Sequence, residues 1–196
     1  MDVAPFLALT RPLVIGLVLV CLGTGCDQTP VGPNHLSLPA PIRADLPFTY
    51  RAKMNRFWTA DAIETFDGDQ LHFVVVEGVA AVPRHSNVGR EARQWLQGCC
   101  DRGELDVEVI AYDDFKRELG HVGALDEHGA RVNVGLELLR RGYAWFDRSE
   151  GDYADEYRAA EATAREQAVG LWVDPSPIPP WEIWEQQQEE LRAMVR

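Results

Sequence analysis

DGDQLHFVVVEGVAAVPRHSNVGREA, residues 67–92, decides how this chain folds. Asp67-Gly68 is a tight-turn pair, set between the β-rich runs AIETF (62–66) and LHFVVV (71–76). From Gly89 the pattern changes period. Ala92, Trp95 and Leu96 recur at helical spacing, and Gly98 is placed to stop a helix. The stretch therefore predicts two strands about a turn, a connecting loop, then a helix. Downstream, LDVEVIAY (105–112) alternates as a half-buried strand should. ELGHVGAL (118–125) reads as a second strand turning at DEHGA. Asn133 is a helix N-cap, and Gly142 ends the helix it opens. Tyr157, Ala160 and Ala164 share one face of a further helix, extended by Ala168, with Glu161 and Arg165 spaced as an i,i+4 ion pair. Gly170 stops it. The proline segment DPSPIPPW then leads to a polar helix reaching Arg196.

The rest of the composition sets limits. The chain has 196 residues, 46% hydrophobic and 26% charged, enough for one domain with a real core. A net charge of −12 argues against a general grip on polyanions, although it leaves room for a local basic groove. Of the four cysteines, Cys99 and Cys100 are adjacent and read as small side chains near a helix end. Arg11 precedes PLVIGLVLVCLGTGC, an apolar run short for a bilayer span and typical of an export signal. Its ending resembles a bacterial lipobox, which makes Cys26 the expected lipidation site and the membrane the expected anchor. Simple cleavage and a retained signal anchor are the alternatives. Residues 1–26 are thus read as signal peptide and lipobox, and 27–46 as a proline-rich tether. Residues 47–174 are read as the folded domain, and 175–196 as a proline segment with a C-terminal helix. An exported, membrane-anchored bacterial lipoprotein, periplasmic or on the outer surface, is the expected product.

Seven elements, in order, resemble the thermonuclease (staphylococcal-nuclease-like) family. DGDQL (67–71) resembles its DGDT element, VVVEGV (74–79) its VRLxGI strand, and GREA (89–92) follows at the family's distance. DDFKRELGHV (113–122) is similar to D-x-Y-G-R-x-L-A-x-V, and VNVGLELLRRGYAW (132–145) to V-N-x-x-L-V-x-x-G-x-A. AEATAREQAVGLW (160–172) is similar to the family's A-E-x-x-A tail, and PIPPWEIW (177–184) to a PPWEW extension. The resemblance implies an α+β fold, a five-stranded OB-type Greek-key β-barrel with packed helices. It also implies Ca²⁺-dependent phosphodiester hydrolysis of DNA or RNA, if the site is intact.

Hydrolysis at phosphorus needs carboxylates for a hard cation, a base for water, and guanidiniums for the developing charge. Carried over residue by residue, the first metal carboxylate falls on Asp69 and the second phosphate-binding arginine on Arg117. The other arginine falls on Val75, the second metal aspartate on Ala80, the base on Pro83, and the DGDT threonine on Gln70. Loss of the base or of a cation costs about two or more orders of magnitude each. Glu77, two residues beyond Val75, is a substitute carboxylate on the same strand face, and Arg84, His85 and Arg90 are anion-binding candidates. Each also has a plain structural reading. Asp69 can serve its own turn, Arg117 can pair with Asp113 or Asp114, and Glu77 can be a solvated strand residue. The expectation is a barrel that has kept its frame, lost its nuclease chemistry, and binds a protein, glycan or other partner. An active nuclease with a rearranged site and a structural envelope lipoprotein are the alternatives.

Overall fold

The computed structural model describes residues 40–147 and 151–194. The export signal, Cys26 and the tether up to residue 39 lie outside the described residues. The first strand, β1 (Phe48–Thr59), is long and strongly bent, with register shifts beside Asn55 and Trp58. It turns through Ala60-Asp61 into β2 (Ala62–Phe66), which turns through Asp67–Gln70 into β3 (Leu71–Val76). A short β4 (Val79–Ala81) precedes α1 (Asn87–Arg102). Then follow β5 (Leu105–Tyr112), β6 (Glu118–Leu125), β7 (Arg131–Asn133), α2 (Val134–Arg140), β8 (Ala144–Phe146) and α3 (Ala154–Glu166). A 3-10 turn (Gly170–Val173) and α4 (Pro180–Met194) complete the order.

The strands run β3-β2-β1-β5-β6-β7, and β3 pairs again with β6, in parallel. That last pairing closes β1, β2, β3, β5 and β6 into a five-stranded mixed barrel, which removes all but short edges. Alternation explains its filling: Val74 and Val76 of β3, Leu105, Val107 and Val109 of β5, and Val122 and Ala124 of β6 all point inward and are buried. Three helices seal the barrel, α1 with Ala92, Leu96 and Cys99, α2 with Val134, Leu138 and Leu139, and α3 with Tyr157 and Ala160. A second cluster, Val82, Trp145, Ala164, Leu171 and Trp172, lies beside β4 and β8.

Local chemistry sets the joints. Ser86 caps α1, its hydroxyl accepting from Gly89 N at 2.9 Å. Gly89 is required there because a Cβ would collide with the Pro83 carbonyl oxygen. Asn133 caps α2 through Leu136 N at 3.0 Å and also accepts from the Tyr157 hydroxyl at 3.1 Å, tying α2 to α3. Two helix ends differ from expectation. Gly98 lies inside α1, which runs on to Arg102 because its far side packs on the barrel, and Gly103 is the cap. α3 ends at Glu166, and Ala168 is exposed with φ at 49° instead of extending the apolar face. Cys99 and Cys100 are free thiols, with burial pushing that of Cys100 up to about 12. The end of the tether already touches the barrel: Ala40 N donates to Leu71 O at 2.8 Å and Arg43 N to the Tyr112 hydroxyl at 2.9 Å.

Candidate active-site cleft

The cleft lies where the β1–β2 turn, the end of β3, β4 and β8 meet. Asp61 occupies this junction. Its carbonyl accepts from Val76 N at 2.7 Å, and its Oδ2 accepts from Ala81 N at 3.0 Å. The carboxylate next to Ala80 is therefore Asp61, and the candidate metal ligand Asp69 is elsewhere. Asp69 sits exposed in the β2–β3 turn, its backbone N bonded to Asp67 Oδ1 at 2.8 Å. A six-residue strand separates that turn from the cleft, about 20 Å at strand rise. The letters DGD misled for a physical reason. Asp-Gly-Asp suits any tight turn, and the barrel has two tight turns in succession, Ala60-Asp61 and Asp67–Gln70.

Val75 lies half-buried between Ala62 of β2 and Leu119 of β6. Ala80 pairs with Trp145 of β8. Pro83 is exposed in the loop to α1, and its carbonyl accepts from Ser86 N at 2.9 Å and Ser86 Oγ at 2.8 Å. None of the three side chains carries a polar atom, so none binds a cation, activates water or neutralises a phosphate. Glu77 lies close by but is buried, not a solvated strand residue, and its N donates to Gly120 O at 2.9 Å. A Cβ on Gly151 would sit 2.8 Å from Glu77 Oε1, so this small residue is what lets the chain pass over the carboxylate. Asp147 is the third acid here. Burial, with the nearby charges of Asp61 and Glu77, pushes its carboxyl above the usual carboxylate range.

These three acids do not fit a calcium cage. One oxygen of Asp61 is taken by a backbone N–H, and among the described residues no three His, Cys, Asp or Glu side chains converge on a metal position. Calcium takes six to eight oxygens, which calls for a denser set of donors.

Arg117 stands just before β6, and its Nε donates to Asp113 Oδ2 at 2.5 Å. Burial opposes ionisation of Asp113, yet the Arg117 backbone N–H and guanidinium outweigh it and hold the carboxyl below its usual range. The same guanidinium lies 5.9 Å from the Phe73 ring centroid and 5.4 Å from that of Phe115. Phe73 in turn contacts Trp58 at 5.8 Å, and Arg56 lies 5.3 Å from the Trp58 ring. Arg56, Trp58, Phe73, Arg117 and Phe115 thus form one ladder of cations and rings on the outer barrel face. Phe115 is 81% exposed. Arg84 and Arg90 join neither ladder nor acids. Arg84 Nε contacts His85 Nε2 at 3.0 Å, and Arg90 reaches the His85 carbonyl at 3.3 Å and Asn87.

Asp61, Asp147 and the ladder escaped sequence reasoning because their members come from turns and strands far apart in the chain. A clearer reading of β1 would have found Asp61, because β1 sets which turn comes first. Inside the barrel a separate polar network lies below the β2–β3 turn. His72 is 6% exposed and Glu118 4%. His72 Nδ1 meets Glu118 Oε1 at 2.9 Å, His72 Nε2 meets Asp67 Oδ2 at 3.2 Å, and the Tyr50 hydroxyl donates to Glu118 Oε2 at 2.7 Å.

Comparison with known proteins agrees with the barrel. The family described as Staphylococcal nuclease homologue matches residues 56–174. A micrococcal nuclease of Shigella flexneri is 30% identical over 137 residues, covering 67% of this chain and 79% of that protein. An uncharacterized endonuclease of Escherichia coli O157:H7 is 28% identical over 130 residues, 66% of this chain and 80% of the relative. Endonuclease Htp3 of Saprolegnia parasitica is 33% identical over 128 residues, 59% and 60% respectively. With more than half of its length under that match, the chain belongs to the staphylococcal nuclease homologue family.

Proposed function

We propose that this domain is a catalytically impaired nuclease relative that holds single-stranded nucleic acid without cutting it. The observation that carries the reading is the cleft itself: Val75, Ala80 and Pro83 leave Asp61 without a matching metal aspartate, base or guanidinium. The ladder from Arg56 to Phe115 supports the binding half. Base faces stack on aromatic rings, and guanidiniums add cation–π and phosphate contacts. Acids dilute the positive charge, since Arg117 is paired with Asp113 and Glu64 stands across from Arg56. Stacking then carries more of the affinity than phosphate neutralisation, in keeping with the net charge of −12. A lipid on Cys26 would hold the module at the bacterial envelope.

The test incubates the protein with labelled oligothymidylate in Ca²⁺ and then in EDTA. The expected result is no cleavage in either, with binding that Trp58→Ala and Phe115→Ala weaken by about tenfold or more per base site. Cleavage in Ca²⁺ abolished by EDTA would overturn the impaired reading. A second reading, an active enzyme with a rearranged site, is favoured by the crowding of Asp61, Glu77 and Asp147. It requires Ca²⁺-dependent cleavage that Asp61→Ala and Asp147→Ala each abolish.

A further inference from the structure

On the side of the molecule formed by β8, α3 and the proline segment, two contiguous hollows of about 440 and 320 Å³ share Trp145, Arg165 and Trp181. Their floor is aromatic. Trp145 and Trp172 meet edge to face with centroids 6.4 Å apart, and Phe146 continues the floor. Both tryptophans are nearly buried, at 5% and 9% exposure, while Trp181 at the start of α4 stands half-buried as a wall. The Trp172 indole Nε1 is buried and finds no acceptor among the described residues. Pro175, Pro177 and Pro179 close the opposite side.

The polar groups of this cleft are held in place. The Arg165 guanidinium lies 3.9 Å from the Trp172 ring centroid, and its Nη2 meets Glu161 Oε2 at 3.2 Å. The other oxygen of Glu161 accepts from Phe146 N at 3.1 Å, so this carboxylate cannot swing away. Arg158, one helical heptad before Arg165, lies 5.6 Å from the Phe146 ring and pairs with Asp155 at 2.6 Å. Asp174 and Glu182 stand exposed on the rim.

We propose that this cleft is a carbohydrate-binding site that takes a neutral oligosaccharide. Charge and hydrogen bonding weigh against an anionic or a purely apolar ligand. Two guanidiniums face three carboxylates, Glu161, Asp174 and Glu182, so a phosphate or sulfate ester gains no net attraction. A purely apolar ligand would strip water from five charged groups without replacing their hydrogen bonds. A proline-rich peptide meets a groove whose proline wall the chain already supplies. A pyranose ring meets each demand. Its C–H face lies on the half-buried Trp181 indole, and its hydroxyls, each donor and acceptor, meet the Arg165 N–H groups that Glu161 leaves free and the exposed rim carboxylates of Asp174 and Glu182. The site lies apart from the ladder, so a chain tethered at the envelope would hold a glycan with one face and a nucleic-acid strand with another.

The test titrates the full-length protein with chitohexaose, cellohexaose and maltohexaose, following tryptophan fluorescence and heat, with heparin and oligothymidylate as anionic comparisons. The expected result is saturable binding of at least one neutral oligosaccharide, with affinity flat from low to high salt. Arg165→Ala and Trp181→Ala weaken that binding about tenfold or more. Arg165→Lys, which keeps charge and fold but loses the planar fork, weakens it as well. Trp58→Ala leaves sugar binding intact while reducing oligothymidylate binding, so failure of one site is distinguishable from failure of the other. Three neutral sugars that all fail to bind, tighter and salt-sensitive binding of heparin at Arg165, or sugar binding unchanged in both Arg165 variants would each overturn the proposal.

Discussion

Replacing Glu118 by leucine removes the group that organises the barrel's buried polar network. In the wild type, Glu118 accepts from the Tyr50 hydroxyl at 2.7 Å and meets His72 Nδ1 at 2.9 Å, in surroundings where both Glu118 and His72 are more than nine-tenths buried. Leucine leaves Tyr50 O–H and His72 Nδ1 without their acceptor. An orphaned buried donor costs about 1–3 kcal/mol, and breaking a buried charge pair about 3–5 kcal/mol. The expected loss is about 3–5 kcal/mol while His72 is charged and less once it is neutral. Burial acts to lower the His72 pKa, but the hydrogen bonds and charges of Glu118 and Asp67 outweigh it and hold it above the ordinary 6.5. The folded state therefore keeps a proton that the unfolded state releases, and the contribution is complete below about pH 6.5 and lost as pH rises through the folded value. Urea unfolding at about pH 5.5 and about pH 8.5 reads both effects. Wild type should be less stable at the higher pH, and Glu118→Leu should flatten that difference. Glu118→Gln, which keeps an acceptor, covers the case in which the leucine variant does not fold, and it too should reduce the pH dependence. A wild-type stability independent of pH across this range, or an equal loss in the variant at both values, would refute the reasoning.

Other outcomes follow from the same geometry. Asp147→Asn removes a carboxyl that partial burial and the charges of Asp61 and Glu77 disfavour, so the urea midpoint at neutral pH should rise relative to wild type. In the wild type that penalty fades on acidification toward the usual carboxylate range, where the folded state takes up the proton first. Gly89→Ala drives a methyl into the Pro83 carbonyl and should cost about 1–3 kcal/mol in the same measurement. Lys116 has φ at 64° at the position where the resembling family element carries glycine, so Lys116→Gly should stabilise by about 1 kcal/mol. Asn133→Ala loses the α2 cap and the Tyr157 acceptor together, about 2 kcal/mol by thermal unfolding.

The sequence by itself determined the elements whose pattern is local. Leu105–Tyr112 and Glu118–Leu125 are the strands their alternation predicts, Asn133 caps its helix, and Tyr157, Ala160 and Ala164 are the buried face of α3. It also named the apolar replacements at Val75, Ala80 and Pro83, because the order of motifs survives without coordinates. Tertiary structure alone decided which carboxylate stands in the cleft. Asp61 and Asp69 each follow a strand in a tight turn, and a turn's local sequence does not say which strands its carboxylate will meet. Only the parallel pairing of β3 with β6, and β4 lying against β8, fix which turn meets Ala81. The cation–ring ladder and the Trp145–Trp172–Arg165 cleft are likewise products of closure. Their members are near-random along the chain and neighbours only once the barrel brings distant strands and helices together, and no local pattern encodes a long-range contact.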